Sequence, residues 1–139
     1  MKGLAKLGTV LLMFVLTLAA CGGNAAPEAN DSPSVRFVTP QDGDTVTSPV
    51  QVQMEATNFT IEEAGEVREG AGHFHIMVYE GCLATGEIIP AAEGFNHFGM
   101  GQTETELELE PGEYTLCLQV GDGIHAAVDL VDEITITVE

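Results

Sequence analysis

The sequence predicts an all-β fold, an immunoglobulin-like antiparallel β-sandwich of about seven strands over residues 35–139. The first observation behind this prediction is a period-two alternation of apolar and polar side chains, clearest from Val50 to Thr57. The second is turn-forming sequence between the alternating runs, about every ten residues. The third is that no segment after Ala20 shows the apolar spacing of an amphipathic helix.

Four runs are predicted to be strands because each places apolar side chains on one face and polar side chains on the other. They cover residues 50–57, 104–109, 114–120 and 134–138. Turns are predicted where proline, glycine and aspartate cluster, at residues 40–43, 110–113 and 121–123. Tyr114 directly follows the Pro111-Gly112 turn, where immunoglobulin-like folds carry a tyrosine corner.

The first 20 residues have the composition of an export signal, since Lys2 and Lys6 precede an apolar run over residues 10–20. That run is shorter than the roughly 20 residues that a membrane-spanning helix needs. It ends in Leu-Ala-Ala-Cys at residues 18–21, which resembles the lipobox of bacterial lipoproteins.

Three parts of the chain are therefore predicted: a signal peptide over residues 1–20, a flexible tether over residues 21–34, and the β-sandwich domain over residues 35–139. The tether begins at Cys21, which is predicted to carry the lipid. The domain is accordingly extracytoplasmic and anchored to a membrane of the cell envelope. A plain secretory peptide cleaved nearby is the alternative.

The charge of the chain limits its partners. The formal net charge is −18 at pH 7, and the chain after the predicted signal keeps all 22 acidic residues but only Arg36 and Arg68 as basic ones. Such a surface repels phosphate backbones and anionic lipid headgroups. Binding of nucleic acid and polybasic binding to membranes are therefore excluded, and the lipid on Cys21 is the predicted membrane contact.

Two cysteines remain besides Cys21, namely Cys82 and Cys117. In an oxidising compartment an even pair of cysteines predicts a disulfide. A metal site with two thiolate ligands is the alternative, although neither cysteine belongs to a CxxC pair.

A histidine-rich segment over residues 72–79 is the most informative local feature. Its alternation predicts one side that faces the core, with Phe74, Ile76 and Val78. The other side carries His73, His75, Met77 and Tyr79. Residues i and i+2 of a strand lie about 6.5–7 Å apart at the backbone, so the two imidazoles could converge on one ion.

The other two histidines, His97 and His125, fall in predicted loops. If residues 87–89 form a short return strand, the strands alternate in direction and both loops lie at the end where the strand of His73 begins. His73, His97 and His125 are then predicted to cluster at one end of the sandwich, with His75 one step further along its strand.

Five motifs follow one another at residues 35–43, 72–75, 96–104, 111–116 and 121–125. Together they resemble a bacterial domain family of unknown function, some of whose members are labelled rod shape-determining proteins. In that family the second motif usually reads Gly-His-His-His, whereas Phe74 stands at the middle position here. A further histidine that is common in the family has Val128 near its place. The resemblance implies a fold and a set of positions, and no established activity.

Clustered imidazoles in an oxidising compartment favour copper or zinc. The predicted ligands are His73, His75 and His97, then His125, with Met77 or Met100 as soft thioether ligands for Cu(I). The alternative is that the histidines hold the loops in place and that both methionines are packing residues. Because ligating histidines must be neutral, metal affinity is predicted to fall as the pH drops through about 6.

A second class of function is recognition of a protein or a cell-wall polysaccharide, through Tyr79, Phe95, Phe98 and the histidines. Chelators would leave such binding unchanged but would abolish metal binding. An enzyme is least supported, because the sequence has no Ser-His-Asp order and no HExxH motif. Glu93 and Glu104 lie near His97 in the sequence, where a metal could activate water.

Carboxylates in predicted turns offer the oxygen ligands that Ca²⁺ prefers. They are Asp42, Asp44, Asp129, Asp132 and Glu133. They lack the spacing of an EF-hand loop, and a role as solubilising surface charge explains them better.

Overall fold

The structure is a computed structural model that describes residues 31–139. The predicted signal peptide, the predicted lipidation at Cys21 and most of the predicted tether lie outside the described residues. Within residues 31–139 there are only strands and irregular segments, and no helix that is long and apolar enough to cross a membrane. The strands are β1 (Ser34–Thr39), β2 (Thr45–Val46), β3 (Val50–Thr57), β4 (Thr60–Ile61), β5 (Ala71–Met77), β6 (Phe95–His97), β7 (Glu104–Leu107), β8 (Gly112–Gly121) and β9 (Ala127–Val138).

Two sheets are formed, and the all-β prediction is confirmed. The first sheet has the order β1-β3-β7, and the second has the order β2-β9-β8-β5-β4, with β6 also paired to β5. The long neighbours β5, β8 and β9 are antiparallel, whereas the short β2 and β4 pair in parallel with β9 and β5. This division places β1, β3 and β7 opposite β5, β8 and β9, as strands A, B and E lie opposite C, F and G in immunoglobulin-like sandwiches.

The main core lies where apolar faces of the two sheets meet. In β3 the side chains of Val50, Val52 and Met54 are buried, while the glutamines and glutamate between them are exposed. From the second sheet Phe74 and Ile76 of β5 join the same cluster, as their alternation predicts. Burying a side chain of this size stabilises the fold by roughly 1.5–3 kcal/mol, so this cluster defines the sandwich.

The tyrosine corner is present. The hydroxyl of Tyr114, near the start of β8, donates a hydrogen bond of 2.9 Å to the carbonyl oxygen of Glu110. This contact joins the strand to the turn that precedes it, as in immunoglobulin-like domains.

A long irregular segment, residues 79–94, connects β5 to β6 and is called the strap below. It crosses the second sheet on the face that points away from the main core. There Ile89 is buried with Met77, Cys117 and Ala127 in a second apolar cluster. As a result β5 is buried along its whole length, on both faces.

The strap is fastened to the sheet at several points. A disulfide joins Cys82 of the strap to Cys117 of β8, with the two Cα atoms 5.5 Å apart. Backbone N–H groups of Gly86 and Ile89 donate to the carbonyl oxygens of Ala127 (2.8 Å) and His125 (2.9 Å). The disulfide is the pairing that the even number of cysteines predicted, and it is typical of an extracytoplasmic protein.

Some predicted elements differ in the structure. Residues 87–89 are not a strand, and Ile88 makes only an isolated bridge to Ala126. Strand β7 ends at Leu107 rather than at residue 109, and β9 begins at Ala127, well before residue 134.

The carboxylates considered for Ca²⁺ are accordingly placed differently from the prediction. Asp129, Asp132 and Glu133 lie within β9 rather than in a turn. Asp42 does lie before a strand, and its Oδ1 accepts a hydrogen bond of 2.9 Å from the backbone of Thr135. Asp132 accepts one of 2.7 Å from the backbone N–H of Phe37. The carboxylates of Asp42 and Asp132 therefore accept hydrogen bonds from backbone N–H groups and stabilise the fold.

Candidate metal centre

Four histidines meet on the outer face of the second sheet, near the start of β5. His73 of β5 is opposite Gly121 of β8, and His75 is opposite His97 of β6. His125 follows in the turn between β8 and β9. Strand pairing, rather than a return strand over residues 87–89, brings the four together, and His97 lies in a strand rather than in the predicted loop.

The turn that carries His125 is held by Asp122. One carboxylate oxygen of Asp122, Oδ1, accepts hydrogen bonds from the backbone N–H groups of Ile124 (3.0 Å) and Ala126 (2.9 Å). The backbone N–H of His125 donates to the carbonyl oxygen of Asp122 (2.9 Å). His125 has a φ of 72°, a left-handed conformation that costs energy in a residue with a Cβ atom. The aspartate-centred turn maintains this conformation and thereby sets the direction of the His125 side chain.

Two glycines make room for the imidazole rings. A Cβ atom on Gly121 would lie 2.8 Å from Nε2 of His75, and a Cβ atom on Gly99 would overlap the ring of His97. Any larger residue at either position would therefore displace a histidine. The sequence prediction noted these glycines only as parts of a turn and a motif.

The rings are close enough to share one ion. All pairs among the four imidazoles have ring centroids between 4.7 and 5.8 Å apart. The Nε2 atoms of His97 and His125 are 3.1 Å apart, and those of His73 and His75 are 3.0 Å apart. The ligand atoms of His73, His97 and His125 lie within 4.8 Å of one another, so these three residues could hold a metal ion.

This set of three differs in one member from the ligands favoured by the sequence. His125 belongs to it, whereas His75 packs against it, with its Nε2 atom 3.0 Å from Nε2 of His73 and its ring centroid 5.0 Å from that of His97. The sequence favours His75 over His125 because His75 lies two residues from His73 on one strand face. The sequence could not show that the Asp122 turn directs His125 toward the other rings.

The sequence of this chain matches the model of one protein family. It carries the description "Domain of unknown function (DUF4399)" and matches residues 52–139, more than half of the chain. The chain belongs to the DUF4399 family. All four histidines lie within the matched region, whereas the motif at residues 35–43 lies before it. None of the curated proteins and none of the solved structures matches this chain.

The histidines of this DUF4399 domain differ in exposure. His73 and His75 are 0% and 2% exposed, His125 is half-buried, and His97 is exposed. His73 and His75 are buried because the rings of His97 and His125 pack against them and the strap crosses the same face of the sheet. The histidine cluster is thus shielded from solvent at His73 and His75 and is accessible to solvent at His97.

The two buried histidines leave polar atoms without partners. Nδ1 of His73 and Nδ1 of His75 have no hydrogen-bond partner among the described residues. A neutral imidazole carries one proton, and the contact between the two Nε2 atoms needs one donor and one acceptor. The donor ring then keeps a buried lone pair on Nδ1, and the acceptor ring keeps a buried N–H. Unpartnered buried groups are rare in proteins, and a lone pair of this kind is a candidate metal ligand.

The cluster also favours neutral imidazoles. Burial lowers the pKa of His73 to about 4, with His97 and His125 adding to the effect and Asp122 opposing it. Burial, with a further contribution from the other three histidines, lowers the pKa of His75 to about 3. The pKa of His97 is also lowered, by burial and by His125. These rings are therefore neutral at pH 7 and could accept a metal ion without first losing a proton.

The metal-free DUF4399 domain is expected to lose stability as the pH falls from about 6.5 to 5. Unfolded histidine takes up a proton in this range, whereas folded His73 and His75 do not, so acid favours the unfolded state. Each group contributes a slope of up to about 1.4 kcal/mol per pH unit. Urea unfolding of the wild type and of His75→Gln measures this slope, which should be shallower in the variant because glutamine does not titrate. Equal slopes would contradict the prediction.

The two methionines predicted as ligands do not lie among the four histidines. Met77 is fully buried in the second apolar cluster with Ile89, Cys117 and Ala127, so it is a packing residue. Met100 is 70% exposed beyond the end of β6. Glu104 lies in β7 of the first sheet, whereas His97 lies in β6 of the second.

The aromatic surface predicted for a recognition module is also incomplete. Phe98 is buried in the main core, and Phe95 packs against the second apolar cluster. Of the three aromatic residues in that predicted set, Tyr79 is the exposed one, at 68%.

A cavity adjoins the histidines. It has a volume of about 160 Å³ and is lined by His75, His97 and His125 on one side and by strap residues 88–91 on the other. The sequence prediction missed both the strap and this cavity, because residues 79–94 lack the alternation that predicts structure.

Proposed function

We propose that this protein binds one transition-metal ion, copper or zinc, through His73, His97 and His125. The observation that carries the proposal is that ligand atoms from β5, β6 and the β8–β9 turn lie within 4.8 Å of one another. Nitrogen ligands about 2.0–2.1 Å from a tetrahedral metal are about 3.3–3.4 Å apart. The His97–His125 separation of 3.1 Å is within a few tenths of an ångström of that value.

His75 has a supporting role in this proposal. Its Nε2 atom lies 3.0 Å from Nε2 of His73, and both rings are buried. A polar partner behind a ligating histidine sets its tautomer and ring orientation. His75 therefore orients His73 toward the ion.

The donor set bears on the identity of the metal. Imidazole nitrogen suits both copper and zinc, and the intrinsic order of affinities favours Cu²⁺ over Zn²⁺. The excess of acidic residues raises the local concentration of any cation. With no nucleophile or base assigned, the role we propose is storage, delivery or sensing of the metal rather than catalysis. Attachment to a membrane through a lipid on Cys21 belongs to the same proposal, and the disulfide supports the extracytoplasmic location.

Metal content and metal titration of the full-length protein, purified without a polyhistidine tag, test the proposal. Cu²⁺, Cu(I) and Zn²⁺ are titrated separately, and the expected result is one equivalent of at least one of them bound with a Kd below about 1 μM. Treatment with a chelator should remove it, and added metal should restore it. If none of the three binds more tightly than about 10 μM, the proposal is wrong and the histidines have a structural role.

A further inference from the structure

We infer that the cavity between the strap and the histidines binds a small neutral donor molecule of the imidazole or thioether class, which coordinates the metal. The inference rests on the proposed function, since the metal would be the group that the donor's lone pair binds. The donor replaces a water molecule in the coordination sphere, and no electron or proton transfer is involved.

The position of the cavity is the first argument. His97 and His125 belong to the proposed ligand set and also line the cavity. A metal held by both lies at the edge of the cavity. Three protein ligands leave one position of a tetrahedral site open, as in sites that bind an exogenous ligand.

The size and the walls of the cavity limit the ligand. A volume of about 160 Å³ corresponds to about five water molecules at roughly 30 Å³ each. The wall opposite the histidines is apolar, and consists of Ile88, Ile89, Pro90 and Ala91. A ligand of about five or six heavy atoms, with a donor atom at one end and an apolar body, would use both walls.

The surrounding charge disfavours anions. Glu87 and Glu93 lie on the strap, and Asp122 is close enough to His73 to influence its pKa. The two basic residues of residues 31–139 are engaged elsewhere, Arg36 with Glu55 and Arg68 with Glu62. These carboxylates reduce the attraction that a bound divalent ion exerts on an anion, whereas they do not oppose a neutral donor.

The cavity wall is preformed. The Cys82–Cys117 disulfide holds one part of the strap. The Gln119 side chain forms two hydrogen bonds of 2.9 Å with the backbone of Leu83. The backbone N–H of Ile89 donates a hydrogen bond to the carbonyl oxygen of His125. A wall fixed in this way lowers the entropy cost of ligand binding.

Titration of the Cu²⁺-loaded full-length protein with imidazole and 4-methylimidazole, followed by visible absorption and electron paramagnetic resonance, tests the inference. The extra methyl group should make 4-methylimidazole bind about threefold to fourfold more tightly than imidazole, because it reaches the apolar wall. Ala91→Leu, which fills part of the cavity, should weaken 4-methylimidazole at least about tenfold and leave Cu²⁺ affinity unchanged. Ala92→Leu is the matched control, since residue 92 is exposed and does not line the cavity.

The outcomes separate this inference from the proposed function. If Cu²⁺ binds but Ala91→Leu and Ala92→Leu respond alike, or the methyl group gives no gain, the inference is wrong and the metal site stands. If no metal binds, both are wrong. Ile88→Trp, which narrows the cavity from another part of its wall, provides a second test and should act like Ala91→Leu.

The source of the donor can be distinguished in the same assay. A capped Gly-His-Gly tripeptide carries the same imidazole on a peptide backbone. Binding as tight as that of 4-methylimidazole would assign the cavity to a side chain of a partner protein. Exclusion of the peptide would assign it to a free small molecule.

Discussion

Replacing His97 by alanine is expected to weaken metal binding by at least about 100-fold. His97 is exposed at the open side of the cluster, so its removal leaves the buried core of the sandwich intact. The substitution removes one of the three proposed ligands and breaks the close pair with His125. Isothermal titration or competition with a metal indicator measures the affinity, and circular dichroism checks that the fold is retained. His125→Ala should have a similar effect.

The matched control for this experiment is Met100→Ala, and His75→Ala is the comparison that distinguishes an orienting residue from a ligand. Met100 is exposed beyond the end of β6, and its removal should leave the affinity for Cu²⁺ unchanged. In the proposed site His75 orients a ligand rather than binding the ion, so its replacement should weaken binding by about 10-fold to 100-fold. A loss for His75→Ala that exceeds the loss for His97→Ala would show that the ligand set assigned above is wrong.

Removing the disulfide with Cys82→Ser/Cys117→Ala is expected to lower the free energy of unfolding by about 3–4 kcal/mol. The bridge spans a sequence separation of 35, and a cross-link of this length restricts the unfolded chain by about that amount. For a domain of this size, the corresponding fall in Tm is at least about 10 °C. Urea unfolding with tyrosine fluorescence, together with calorimetry, measures both quantities.

The same variant tests whether the strap supports the metal site. The backbone N–H of Ile89 in the strap donates to the carbonyl oxygen of His125, so a loosened strap should weaken metal binding as well. Asp31→Ser, at an exposed position before β1, serves as the control and should change neither quantity. A stability loss below about 1 kcal/mol would show that the strap is held by its hydrogen bonds and by the burial of Ile89.

Together these features describe a site built on one face of a sandwich sheet. The strap covers the outer face of β5. As a result His73 and His75 are buried, and burial lowers the pKa of both so that they are neutral at pH 7. The glycines at positions 99 and 121 and the turn at Asp122 then bring two further histidines against them. Such convergence of all four histidines of a chain is the structural basis of the proposed metal binding.

Much of the fold could be predicted from local pattern. The alternation in residues 50–57 and 72–78 identified which side chains face the core, because side chains in a strand point to opposite faces in turn. The tyrosine corner could be predicted from a turn and the residue that follows it. The prediction of clustered histidines was correct although its reasoning was not, since residues 87–89 form no strand.

By itself, the sequence determined the strand pattern and the inward and outward faces of β5, because these depend on period-two alternation, and its even count of remaining cysteines favoured the disulfide over a thiolate metal site. Only the tertiary structure decided that the outward face of β5 is buried, that His125 joins His73 and His97 in a group whose ligand atoms lie within 4.8 Å of one another, and that a cavity lies beside this group. The physical reason is that these features depend on where the strap and the Asp122 turn pack. Their positions result from long-range hydrogen bonds and from the burial of Ile89, which no periodicity within residues 79–94 or 122–126 reveals.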